Sequence, residues 1–184
     1  MRQPNLLRLS IGALLLASLS GCVPSDATTP PAPTSTFVAP YATDEEALAA
    51  AEEAYAEYTR VVGEILQDGG ANPTRLESVA VGAFLDASVD GLEEFAAKGG
   101  QASGDVRNNA FELQRYSPRG STAEVITVYL CSNVSGLDLT DQDGNSLVSD
   151  DRPDESTMQV TFDFSVERQL LLVSDVEVWS AGEC

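Results

Sequence analysis

"MQVTFDFSVERQLLLVSDVEVW", residues 158–179, carries the pattern that decides the second half of the chain. Met158, Val160, Phe162, Phe164 and Val166 alternate with Gln159, Thr161, Asp163 and Ser165. Successive side chains of a strand point to opposite faces, so this period of two predicts a strand with one apolar and one polar face. Glu167-Arg168 predicts a short turn, and residues 169–179 a return strand, giving an antiparallel hairpin.

Working upstream, "EVITVYLC" (124–131) reads as a strand apolar on both faces, and therefore central. Phe111 and Leu113, extended by Tyr116, predict a strand before it. Between the middle strands, Asp143-Gly144 marks a tight turn, flanked by short strand candidates at Leu137–Leu139 and Leu147–Val148.

Before residue 104 the period is helical. Thr43-Asp44-Glu45-Glu46 predicts a capping box, with Thr43 as N-cap and Glu46 reaching back. Leu48, Ala51, Tyr55, Tyr58, Val62 and Ile65 then recur at spacings of three and four, one face of a helix ending before Gly69-Gly70. Asn72-Pro73 predicts the start of a second helix through Leu76, Val79 and Ala83, weak at Gly82. Phe84, Leu85, Val89, Leu92 and Ala96 form a third stripe, closed by Gly99-Gly100. Helices first and an antiparallel sheet after make an α+β domain over residues 43–184, in which the helical faces pack on the apolar face of the sheet.

The head of the chain is of another kind. Arg2 and Arg8 precede an almost wholly apolar or small run, Leu9–Leu19, with no acid before Asp26. Those 11 residues are too short for a bilayer span, which takes about 20, and residues 1–21 read as a cleaved signal peptide. Leu19-Ser20-Gly21-Cys22 resembles the lipobox of bacterial lipoproteins. The resemblance implies that the Cys22 thiolate is alkylated with diacylglycerol and that cleavage falls just before it. Stable anchoring usually takes two lipid chains, and both arrive together on one residue. Residues 22–42 hold Pro24, Pro30, Pro31, Pro33 and Pro40 among Ser and Thr, an extended spacer. At about 3.1 Å per residue it reaches some 60 Å from the membrane.

Ten basic residues face 29 acids, a net charge of −19; loss of Arg2 and Arg8 with the signal brings it to −21. Such a surface disfavours nucleic acid and is not drawn to anionic lipid, so anchoring rests on the acyl chains. With Cys22 lipidated, two cysteines remain. In an exported chain Cys131 and Cys184 suggest one disulfide, with two free thiols as the alternative. Closing those 53 residues would stabilise the fold by about 4 kcal/mol in the chain-entropy model and hold the final residue.

Three helices followed by an antiparallel sheet are similar to the nuclear transport factor 2-like fold, a cone whose long helix crosses a curved sheet. The arrangement "VYLC" (128–131), "DQDGNSLV" (141–148), "LLLVSDVEVW" (170–179) and Cys184 also resembles lipoproteins of high-GC Gram-positive bacteria that carry this fold. There a central-strand Cys pairs with one at the C-terminus, which implies the 131–184 bond here too. The fold hosts isomerases, dehydratases and hydrolases as well as binding modules, so it assigns no activity.

The chain has no histidine, which removes Ser-His-Asp, Cys-His and His-metal chemistry. Asp86 and Asp90 lie four apart on a predicted helix, with Tyr55 and Tyr58 on another, but carboxylates on a polar face are usually mere solvation; no catalytic residue is assigned. Asp141-Gln142-Asp143-Gly144-Asn145 suggests calcium, yet Gly144 falls at position 4 and Arg152 at position 12, where an EF-hand loop needs Gly at 6 and Glu at 12. It reads as an Asp-Gly turn, and neither metal nor cofactor is expected. Trp179 and the five tyrosines read as core.

The leading expectation is a lipid-anchored, non-enzymatic protein on the extracytoplasmic face of the cell membrane, binding a small molecule or an envelope protein; its ligand-binding residues are unassigned. The alternatives are an isomerase or hydrolase using buried Asp and Tyr, and an assembly module. The last would form a homodimer through the outer face of the sheet, because residues 124–131 and 169–173 read as apolar on both sides.

Overall fold

The computed structural model describes residues 37–120 and 124–184. Chain order runs β1 (Phe37–Val38), α1 (Asp44–Gln67), a 3-10 helix (Pro73–Ser78), α2 (Gly82–Ala97), β2 (Gln101–Ser103) and β3 (Arg107–Tyr116). It continues with β4 (Arg119–Gly120), β5 (Glu124–Asn133), β6 (Asp138–Thr140), β7 (Glu155–Ser165) and β8 (Leu170–Ala181). The α+β class stands: helices pack on a four-stranded antiparallel sheet of order β3-β5-β7-β8, and β5 is internal. Two small ribbons, β1-β4 and β2-β6, complete it. The expected signal peptide, residues 1–21, the lipidation site expected at Cys22 and the spacer expected after it up to residue 36 lie outside the described residues.

α1 starts where Thr43 stops the chain from coiling. The Thr43 hydroxyl accepts from the Glu46 amide at 3.2 Å, and the Glu46 carboxylate accepts from the Ala42 amide at 2.7 Å. Glu46 thus reaches one residue further back than a capping box requires. Both long helices close alike. Gly69 donates to Leu66 and Gly70 to Ile65; Gly99 donates to Ala96 and Gly100 to Phe95. These are Schellman motifs, which need a left-handed residue just past the helix, and Gly69 and Gly99 stand at φ 69° and 65°.

The core has two parts. Ala47, Ala51 and Tyr55 of α1 pack on Ile126, Val128, Leu130, Val160, Phe162 and Val173 of the sheet. Val61 and Ile65 pack with Leu76, Val79 and Leu92 at the other end of the helix. Phe162 is wholly enclosed, and burial of such a side chain contributes about 1.5–3 kcal/mol.

Four expectations are corrected. The folded body begins before Thr43: β1 pairs with β4, and Ala39 is buried with its amide on the Pro118 carbonyl. Residues 37–42, expected as the end of the spacer, therefore belong to the domain. The second helix is only a six-residue 3-10 segment, and Asn72, in the left-handed region, caps nothing with its side chain. The chain leaves it because the backbone there is claimed by the sheet edge. Val173 donates to the Val79 carbonyl and Val81 to the Val173 carbonyl, so helical hydrogen bonding cannot continue through Ala80.

The β7–β8 turn spans Val166–Gln169, with Gln169 at φ 57°, and Val166 is exposed instead of joining the apolar face. Lastly, β5 is not uniformly apolar on both sides. The register with β7 skips Val125, and a bulge sets consecutive residues on one face; Val125 and Ile126 share the same core. The opposite face keeps Thr127, Tyr129 and Cys131.

Candidate functional site

Two more bulges interrupt β3, and the first builds a cleft. Its register jumps between Asn109 and Glu112, with Ala110 at φ 52°. In a regular strand, residues three apart point to opposite faces. Here the extra residue lets Asn108 and Phe111 both turn toward α1, Asn108 meeting Thr59 and Phe111 meeting Tyr55 edge-on.

Between them and the helix lies a cleft of about 690 Å³. α1 contributes Ala56, Thr59, Arg60 and Gly63, and the far wall is Val106, Asn108, Phe111 and Leu137. This volume lies within the roughly 300–1,000 Å³ of small-molecule sites. The helix wall is open because Gly63 has no side chain; a Cβ built there meets nothing within 4 Å. Arg60 brings little positive charge to the rim, since its guanidinium is held between Glu57 and Glu64. Glu52 and Asp105 add acid.

The polar centre is the Asn108 amide. Its nitrogen donates to Thr59 Oγ1 at 3.2 Å, and Thr59 donates to the Tyr55 carbonyl at 2.7 Å. Its Oδ1 is shielded from solvent and accepts no hydrogen bond, alone in that respect among the described residues. An orphaned acceptor costs about 1–3 kcal/mol. Asn108 was not among the residues singled out from the sequence. The available signal was two adjacent asparagines at the head of a strand, a setting in which Asn is depleted.

A second, apolar hollow of about 290 Å³ lies on the other flank of α1, between Tyr58, Leu76, Leu92, Phe95 and Leu139. Burial pushes the Tyr58 phenol up to about 12, with a hydrogen bond to Ser88 pulling the other way. Tyr55 stacks on Tyr58 with centroids 5.6 Å apart; burial raises its phenol further and the Tyr58 neighbour adds to this.

Tyr55 and Tyr58 are interior, whereas Asp86 and Asp90 are exposed on α2 and line neither cavity, so that quartet does not assemble. Cys131 and Cys184 form the disulfide, with Cα atoms 5.4 Å apart. The Glu155 carboxylate lies beside both sulfurs, but sulfurs bonded to each other are not thiolate ligands. In the 141–145 loop, Asp141 Oδ1 accepts from the amides of Asp143 and Asn145 at 2.9 Å each, and Oδ2 from the Asn145 side chain at 2.9 Å. These donors, the Asn145 side chain first, hold its carboxyl below the usual range. The carboxylate closes the turn on itself.

Trp179 is not core. It is 64% exposed on the outer face of the sheet, its ring centroid 5.1 Å from that of Tyr129.

No family model matches the chain, and no curated protein is similar to it. Among solved structures, the chain is similar to the intermembrane space region of the chloroplast protein ARC6, with a TM-score of 0.52 and 13% identity. The likeness covers 73% of this chain and 97% of that one, and it concerns the α+β fold alone.

Proposed function

We propose that this is a lipid-anchored binding protein of the extracytoplasmic membrane face, in which a nuclear transport factor 2-like domain takes a small ligand into the α1–β3 cleft. The observation that carries the reading is the unpaired Asn108 oxygen beside a mostly apolar cleft of about 690 Å³. The matching ligand has an apolar body and one hydrogen-bond donor. A donor reaching Asn108 Oδ1, as the helix and strand part slightly, removes the desolvation cost of the unpaired oxygen. The reading is non-enzymatic because the cleft holds no nucleophile paired with a base; its carboxylates, Glu52, Glu64 and Asp105, are all exposed at the rim. The lipobox-like segment at Cys22 supports the anchor, and the proline-rich residues 23–36 support a spacer between membrane and domain.

The two halves are tested separately. For the cleft, the full-length chain is titrated with indole and with indene, which has the same shape without the N–H. Indole is expected to shift amide resonances of α1 and β3, indene more weakly, and Gly63→Phe to abolish both responses by filling the cleft. Shifts that survive Gly63→Phe, or none at all, overturn the site. For the anchor, intact mass of the protein from its native membrane is expected to show a diacylglyceryl group on Cys22, and Cys22→Ser to leave the membrane fraction. An unmodified Cys22 overturns that half alone.

A further inference from the structure

We infer that the outer face of the sheet, centred on Trp179 and Tyr129, binds a basic segment of a protein partner. The inference is independent of the cleft. Three observations converge. Val178 pairs with Met158 on the core face, so strand alternation sets Trp179 beside Glu177 on the outer face. The register skips from Met158–Val178 to Thr157–Ser180, leaving Trp179 without a paired residue on β7. The indole comes to rest on Tyr129 and stays 64% exposed, although burying it would be favourable.

The pairing registers then line up Glu112, Tyr129, Gln159 and Glu177 as one row across all four strands. The aromatic pair is thus flanked by two exposed carboxylates, one toward each edge of the sheet. A cation over an indole or phenol face is attracted by the ring quadrupole. Its neighbours along a basic peptide then meet Glu177 or Glu112. The chain as a whole carries −19, which favours the approach of such a partner. A second copy is a poor occupant: a two-fold contact would set Glu112 and Glu177 against the same residues of the mate.

The test uses the single tryptophan of the chain as its reporter. The full-length chain is titrated with octalysine, octaglutamate and a neutral chito-oligosaccharide while Trp179 emission is followed. Octalysine is expected to change the emission saturably and to bind several-fold more weakly at raised salt; the other two are expected to leave it unchanged. With a labelled octalysine read by anisotropy, Trp179→Ala is expected to lose affinity by roughly two- to fivefold, the size of an exposed cation–π contact. Glu177→Lys is expected to lose more. Asp86→Lys, on α2, makes the same change in net charge at a distance and is expected to have little effect. Circular dichroism melts confirm that each variant folds. Equal losses for Asp86→Lys and Glu177→Lys, an emission response to the glycan instead of the peptide, or self-association that Trp179→Ala abolishes would each overturn the inference.

Discussion

Asn108 donates from its side-chain nitrogen to Thr59 Oγ1 at 3.2 Å, tying the edge strand β3 to the middle of α1. The same amide leaves its oxygen without a donor. One side chain therefore both fastens the cleft and leaves it incomplete. Replacing it with an apolar residue of similar volume removes the orphaned acceptor at the loss of one ordinary hydrogen bond. Asn108→Leu is expected to raise stability by about 1 kcal/mol in denaturant titration while ending the preference of the cleft for indole over indene. A net loss of stability would mean that the oxygen is satisfied in solution.

Two glycines should respond in opposite directions. Gly63 lies inside α1 with open space at its Cβ position, so Gly63→Ala is expected to stabilise by about 0.5–1 kcal/mol. Gly70 stands at φ +81°, and a Cβ there would lie 2.7 Å from the Leu92 carbonyl oxygen and 2.9 Å from the Ala96 Cβ. Gly70→Ala is expected to cost about 2 kcal/mol or more, since backbone and packing strain add. Thermal melts of the two variants suffice, and equal effects would contradict the packing of α1 on α2.

The disulfide holds the last residue of the chain to the internal strand β5, closing a separation of 53 residues. Replacing both cysteines by serine is expected to destabilise by about 4 kcal/mol, with the loss on the unfolded side of the equilibrium. Chemical denaturation of the double variant, compared with the oxidised wild type in the absence of reducing agent, checks this. A change below about 1 kcal/mol would show that the C-terminal residues are held by other contacts.

Alkaline pH should unfold the protein through its buried phenols. The Tyr58 pKa rises from 10.0 to about 12 because burial penalises the phenolate. The folded state keeps the proton longer, so this contribution is complete below pH 10 and is lost as pH rises from there through about 12. The loss is on the order of 2 kcal/mol. Tyr58→Phe removes the titrating group, and its stability should fall less steeply above pH 10. Identical alkaline limbs for the two proteins would rule out Tyr58 as the responsible group.

Much of the fold was legible because it is encoded locally. The Thr43–Glu46 cap, the stripe from Leu48 to Ile65, the paired glycines that end each helix and the alternation from Met158 to Phe164 all depend on neighbours within four residues. Helix and strand have fixed periods, so such patterns can be read without knowing the partner. The Cys131–Cys184 pairing was legible by counting, once Cys22 was set aside for lipid.

Tertiary structure decided the rest, because each remaining feature depends on a backbone distant in sequence. Ala80 leaves the helical path because Val173 claims the hydrogen bonds on either side of it. Phe37 and Val38 join the domain because Arg119 and Gly120 offer them a strand to pair with. Val125, Ala110 and Trp179 stand at bulges that exist only relative to a partner's register, and those bulges set which side chains face inward. An extra residue in one strand has no local signature, since it is extra only against the strand beside it. The cleft at Asn108 follows from such an insertion and was not visible in the order of residues alone. Trp179, by contrast, keeps the alternation of Val176, Glu177 and Val178, and only the tertiary structure decides that nothing covers its face.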